Sequence, residues 1–219
     1  MTEKCRWQNW DSSRQSFNYL KYTPEGYDEK SGKKWPLIVF LHGSGERGDN
    51  MDILWVNGPF RFENCKEKPD LPFFMVSPQC PENRIWGNFT ESLNEFLDDM
   101  LKGLPVDPDR VYLTGLSMGG TGAWHWGMEN PERFAAMAPV CGTGINWYAG
   151  ILQDMPVWAF HGADDDVVPL FESVNMVEAI NSRGGNAKIT VYEGVGHGSY
   201  MNAYAAQELY DWFLEQKKH

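Results

Sequence analysis

Apolar residues along this chain fall into two rhythms. Short continuous runs, of the kind a strand covered on both faces shows, occur at Leu37–Leu41, Phe73–Ser77, Arg110–Thr114, Ala135–Val140, Val157–Phe160 and Lys188–Tyr192. Ser16–Thr23 reads as a further strand, closed by the turn Pro24-Glu25-Gly26. Between them, amphipathic stretches at Glu91–Leu101, Met118–Glu129, Leu170–Ser182 and Ala203–Gln216 carry the helical period. Strand, helix, strand, helix predicts an α/β fold with a mostly parallel central sheet and helices on both faces. No repeat, low-complexity tract or long linker interrupts the alternation, so residues 1–219 are expected to form a single domain.

A sheet of this kind gathers its ligand-binding groups on the loops that leave the carboxyl ends of its strands. His42-Gly43, Ser117, Asp164–Asp166 and His197 all follow strands and therefore share one edge. Asp107 and Asp109 precede a strand and read as turn residues at the opposite edge.

Composition narrows the partners. The chain has 219 residues, 42% of them hydrophobic, enough to bury a core without a disulfide or metal staple. Its 30 Asp and Glu outnumber its 19 Lys and Arg, and the resulting charge of −11 repels phosphate backbones and anionic lipid. Neither nucleic acid nor a membrane is an expected partner, and no apolar run reaches the roughly 18–20 residues of a membrane span. Cys5, Cys65, Cys80 and Cys141 form no C-x-x-C pair and have no histidine at zinc-ligand spacing. No metal site is expected, and buried free thiols are favoured over a Cys65–Cys80 bridge. Met1-Thr2-Glu3-Lys4 lacks the apolar core of a signal peptide, which points to the cytoplasm, with secretion as the alternative if a leader has been removed.

Gly115-Leu116-Ser117-Met118-Gly119-Gly120 joins a predicted strand to a predicted helix and fits the G-x-S-x-G elbow of a nucleophilic serine. The glycines have a steric cause, because a serine on so sharp a turn brings strand and helix backbones into near contact. The helix then aims its unpaired N–H groups beside the serine, where an oxyanion would form. A serine hydroxyl is a weak nucleophile without a base and a carboxylate to orient that base. His197, in the loop Gly194-Val195-Gly196-His197-Gly198, is the best-placed base. His125 lies within the helix after the elbow, His42 and His161 read as loop braces, and His219 is terminal. The acid lies within Asp164-Asp165-Asp166, among which spacing does not choose. A cation site on these three carboxylates is disfavoured, since no further oxygen-ligand pattern follows them. Gly43-Ser44-Gly45-Glu46-Arg47-Gly48 is a literal G-x-G-x-x-G, but no ribose-binding acid follows the next strand. It fits better as the second half of an oxyanion hole, the Ser44 N–H joining that of Met118.

Leu41 to Gly48, Ser77-Pro78-Gln79-Cys80-Pro81, Asp109-Arg110-Val111-Tyr112, Gly115 to Gly120, Pro131 to Ala136, His161-Gly162 with Asp165 to Pro169, and Gly196-His197 form a recognisable set of phrases. With them, Leu37 to Trp212 resembles the alpha/beta-hydrolase superfamily. Within it, the chain is similar to the small lidless carboxylesterases grouped with dienelactone hydrolases, feruloyl esterases and peptidases of prolyl-oligopeptidase type. The resemblance implies the alpha/beta-hydrolase fold, no cofactor, and, through an H-G-x-x-D-x-x-V-P phrase, Asp165 as the acid. Only Gly142–Asp154 lie where larger relatives insert a cap, so no cap domain is expected. Where relatives often carry tryptophan after the catalytic histidine, this chain has Tyr200.

The expected function is a serine carboxylesterase acting on short-chain acyl or hydroxycinnamoyl esters, free or linked to polysaccharide, through an acyl-enzyme on Ser117, His197 and Asp165. The rivals are a serine peptidase or thioesterase on the same fold and a non-enzymatic binding protein on a hydrolase scaffold. Trp86 and Trp147 are candidate pocket walls, with Gln79 and Tyr200 as further substrate contacts; most other tryptophans read as core.

Overall fold

The computed structural model, which describes residues 1–64 and 69–218, gathers the apolar runs into one sheet. Its strands are β1 (Thr2–Trp7), β2 (Phe17–Tyr22), β3 (Trp35–Leu41), β4 (Phe74–Pro78), β5 (Val106–Leu116), β6 (Ala136–Val140), β7 (Val157–Gly162) and β8 (Ala187–Tyr192). They run in the order β1-β2-β4-β3-β5-β6-β7-β8. The pairs β1–β2 and β2–β4 are antiparallel, and all other neighbours are parallel. The helices are α1 (Thr90–Gly103), α2 (Met118–Glu129), α3 (Phe171–Asn181), α4 (Tyr200–Ala205) and α5 (Gln207–Glu215).

Every residue of β3 is buried, because its side chains alternate between two cores. Leu37, Val39 and Leu41 pack with Phe96 of α1, Trp124 of α2 and Ile180 of α3, whereas Ile38 and Phe40 pack with Tyr204 of α4 and Phe213 of α5. The sheet thus carries helices on both faces, as the alternation predicts.

Three details differ from the sequence reading. Thr2–Trp7 is an edge strand whose only buried residue is Trp7, so it carries no apolar alternation to reveal it. The last helix is broken at Ala206, whose extended backbone (φ −80°, ψ 120°) separates α4 from α5. Strand β5 begins at Val106, so Asp107 and Asp109 lie within its irregular first turn of pairing, where Asp107 Oδ1 accepts the Asp109 N–H at 3.0 Å. Cys5, Cys80 and Cys141 are free thiols; Cys65, the other half of the alternative bridge, lies outside the described residues. The connection from β6 to β7 holds a short 3₁₀ segment, Asn146–Leu152, and no cap. Among the described residues no helix is long and apolar enough to cross a membrane.

The elbow after β5 sits against β3. A Cβ on Gly119 would stand 1.9 Å from the Leu41 carbonyl oxygen, and one on Gly115 would stand 2.3 Å from the Gly119 oxygen. Both obstacles are backbone, and Leu41 belongs to a strand buried in mid-sheet. Gly119→Ala is therefore expected to cost about 4 kcal/mol or more, as a fallen urea midpoint or loss of folded product. A variant within about 1 kcal/mol of the parent would show that β3 yields easily.

Candidate active site

Ser117 follows β5 with φ 53° and ψ −118°, a positive φ that residues other than glycine rarely adopt. Such a conformation stores on the order of 1–3 kcal/mol and persists only where its surroundings enforce it. Here the Ser117 N–H donates to the Val140 oxygen and the Thr121 N–H to the Ser117 oxygen, each at 2.9 Å. The turn lifts the hydroxyl off the sheet toward His197, whose Nε2 lies 2.8 Å from Ser117 Oγ.

His197 opens a short 3₁₀ turn after β8. Its Nδ1 lies 2.8 Å from Asp165 Oδ2 and 3.0 Å from Oδ1. Of the three adjacent carboxylates only Asp165 is buried; Asp164 and Asp166 are exposed. Asp165 Oδ1 also accepts the N–H groups of Val167 and Val168 at 2.9 Å each. Burial raises the Asp165 pKa, but the Val168 amide, His197 and the Val167 amide outweigh it and hold the carboxyl below its ordinary value. The group is an anion at neutral pH and can only accept. His197 Nδ1 must then carry the ring proton, leaving the Nε2 lone pair facing the serine hydroxyl.

Two groups beside this chain of bonds do more than the sequence alone assigns them. His161, at the end of β7, places Nε2 2.9 Å from the Val168 oxygen and 3.2 Å from Asp165 Oδ2. Both partners accept, so Nε2 is protonated, and Nδ1 takes the Ser173 hydroxyl at 2.7 Å. The imidazole does brace a loop, and it also turns an N–H toward the buried carboxylate. Its spacing four residues before Asp165 in His161-Gly162-Ala163-Asp164-Asp165 was the available signal. Cys141, also at positive φ (41°), donates its thiol to the His197 carbonyl at 3.7 Å. Nothing local in the sequence announces that contact. Cys141, Asp165 and His197 bring potential metal-ligating atoms within 4.8 Å of one another. Asp165 and His197 are committed to each other, and burial pushes the Cys141 thiol up to about 12, so the thiolate a metal would require is disfavoured.

The other expected contacts are placed as follows. Met118 is the first residue of α2, and Ser44 opens a 3₁₀ turn after β3, positions whose N–H groups lack partners within their own helix. A Cβ on Gly43 would lie 2.7 Å from Leu116 Cδ1, which shows how closely the Ser44 loop abuts the elbow. Trp147 is 76% exposed on the Asn146–Leu152 segment, and Tyr200 is half-buried at the start of α4. Trp86 and Gln79 differ from the expectation of substrate contacts, because both are closed off from solvent. The Trp86 indole donates to the His42 oxygen, and Gln79 Nε2 donates to the Glu46 and Asn50 oxygens, each at 3.0 Å. These side chains hold the loops around the site. His125 pairs with Glu129 at 3.4 Å on the α2 surface.

His42 accepts the Cys80 N–H at Nε2 (2.9 Å) and directs Nδ1 at the Gly43 oxygen (2.6 Å). Burial pulls its pKa down to about 4. The unfolded chain therefore takes up this proton first as pH falls below about 6.5, and stability drops until the folded state also binds it near 4. That window is worth on the order of 3 kcal/mol. Urea unfolding followed from pH 7 to pH 4 is expected to show the loss, and His42→Asn to flatten it. An unchanged slope in the variant would assign the pH dependence elsewhere.

A serine on a strained strand-to-helix elbow, an imidazole and a buried carboxylate, all at the carboxyl edge of a mostly parallel sheet, define an alpha/beta-hydrolase. Comparison with known families narrows this: the model of the dienelactone hydrolase family matches residues 67–211, and the chain belongs to that family. The crystal structure of a thermostable esterase superposes with a TM-score of 0.83 at 31% identity, covering 99% of this chain and 63% of that one. The bifunctional acetylxylan esterase/xylanase of Neocallimastix patriciarum is 33% identical over 79 residues, 36% of this chain and 12% of the relative. The probable feruloyl esterase C of Aspergillus terreus is 24% identical over 171 residues, 76% of this chain and 62% of the relative. The chain thus spans less than two thirds of each of these three proteins.

Proposed function

We propose that this chain is a serine carboxylesterase, acting on short-chain acyl or hydroxycinnamoyl esters whose alcohol can be part of a polysaccharide. One observation carries the reading: the unbroken set of hydrogen bonds from Ser117 Oγ through His197 to the buried Asp165. Ser117 Oγ attacks the ester carbonyl as His197 Nε2 takes its proton, and the carbonyl electron pair moves onto oxygen. The N–H groups of Ser44 and Met118 stabilise that oxyanion, each such donor contributing on the order of 100- to 1,000-fold in rate. The pair returns, the C–O bond to the alcohol breaks, and His197 hands its proton to the departing alkoxide. Water then attacks the acyl-enzyme by the same route, releasing the acid and restoring Ser117.

The acyl and alcohol classes are supported by relatives named for acetylxylan and feruloyl esters, by the short β6–β7 connection, and by the exposed aromatics within it. The test is hydrolysis of 4-nitrophenyl acetate and methyl ferulate, with stoichiometric labelling of Ser117 by a fluorophosphonate. Turnover of peptide amides in preference to both esters would favour the peptidase alternative. No labelling and no turnover would favour a binding protein.

A further inference from the structure

Helix α2 is buried along its length except at Met118, Thr121, His125 and Glu129. With Ser117, the last three recur every fourth residue, so they stack on one face. At 1.5 Å per residue the ridge runs about 18 Å from the nucleophile to Glu129. One flank is the Trp86–Asn88 turn, where a Cβ on Gly87 would stand 3.3 Å from the His125 ring. At its far end the ridge opens into a groove of about 930 Å³ bounded by Arg14, Arg84, Asn88, Glu91, Glu129 and Tyr148.

The chemistry of this groove excludes several ligands. Its two arginines are matched in number by two glutamates, and Arg14 is already engaged by Asp11, Glu91 and Glu95, so the walls offer no net charge for an anion. Amide, hydroxyl and charged groups dominate, which disfavours an apolar chain. Tyr148 contributes an aromatic face at 46% exposure, beside Trp147 at 76%, their ring centroids 5.8 Å apart. Many neutral hydrogen-bonding groups with an aromatic platform suit a neutral, polyhydroxylated chain.

We infer that the groove at the end of α2 binds a neutral oligosaccharide, laid along the Thr121–His125–Glu129 ridge so that an acyl group on one of its hydroxyls reaches Ser117. The inference rests on the ester-hydrolase reading for its link to catalysis, and on the groove alone for binding.

The Ser117→Ala chain is titrated calorimetrically with xylo-, arabino-, cello- and manno-oligosaccharides. Saturable binding of at least one is expected, weakened about tenfold in Tyr148→Ala and in Arg84→Ala, with melting temperatures retained. In the active chain, Tyr148→Ala is expected to lower about fivefold or more the ratio of kcat/KM for a feruloylated arabinoxylo-oligosaccharide over methyl ferulate. Absence of binding by every oligosaccharide, or binding unaltered in both variants, overturns the inference even where small esters are cleaved. Binding that depends on Tyr148 in a chain that cleaves no ester sustains the groove and overturns the esterase reading instead.

Discussion

Ser117→Ala is expected to lower kcat on 4-nitrophenyl acetate about ten-thousand- to a million-fold while leaving the fold intact. The hydroxyl is the attacking atom, and among the described residues Ser117 Oγ is the hydrogen-bond partner of His197 Nε2, at 2.8 Å. What survives is the smaller rate supplied by oxyanion donors and binding. The backbone makes this experiment unusually informative. Because position 117 is held at φ 53°, Ser117→Gly is expected to be inactive yet more stable than Ser117→Ala by on the order of 1 kcal/mol, since glycine meets no Cβ penalty there. Matched kinetics and urea unfolding of the two variants check both halves. Residual turnover within tenfold of the parent would remove Ser117 from the mechanism.

Asp165→Asn is the second large effect, about ten-thousand-fold in kcat, and its origin is the tautomer of His197. The Val167 and Val168 N–H groups both point at Oδ1, so an asparagine must turn its carbonyl oxygen to them and its NH₂ toward His197 Nδ1. A donor there drives the ring proton onto Nε2, and the imidazole can no longer take the proton of Ser117. Substrate binding does not use this carboxyl, so KM is expected to change far less than kcat. Imidazole nitrogen NMR shifts report the tautomer directly. Nearly unchanged activity with Nδ1 still protonated would assign the orienting role elsewhere, with His161 the neighbour to examine, since its Nε2 lies 3.2 Å from Asp165 Oδ2.

Much of the catalytic edge was legible in one dimension because its parts follow local rules. Gly115 and Gly119 announce a turn where backbones touch, and the runs ending at Leu41, Leu116 and Gly162 each deliver a loop to the same edge of a parallel sheet. Short-range rules do not reach residues whose role depends on a neighbour far along the chain. Trp86 reads as a pocket wall because exposure is not written in the polar turn before it; its indole is spent on the His42 oxygen, forty-four residues away. Gln79 looked like a substrate contact for the same reason and instead ties two turns of the Glu46–Asn50 loop. Cys141 reads as a small apolar residue, and only the arrival of the β8 loop shows its thiol supporting His197.

By itself the sequence determined the alternation of the central strands and helices, the mostly parallel sheet, the elbow at Ser117 and the edge where its partners gather, since periodicity and backbone sterics act within a few residues. Spacing left three adjacent aspartates open and resemblance pointed to Asp165, but tertiary structure alone shows that carboxylate buried against His197, which tryptophans face solvent, and where a groove opens at the end of α2. Those outcomes depend on side chains from distant segments competing for the same space, and no local pattern encodes the result.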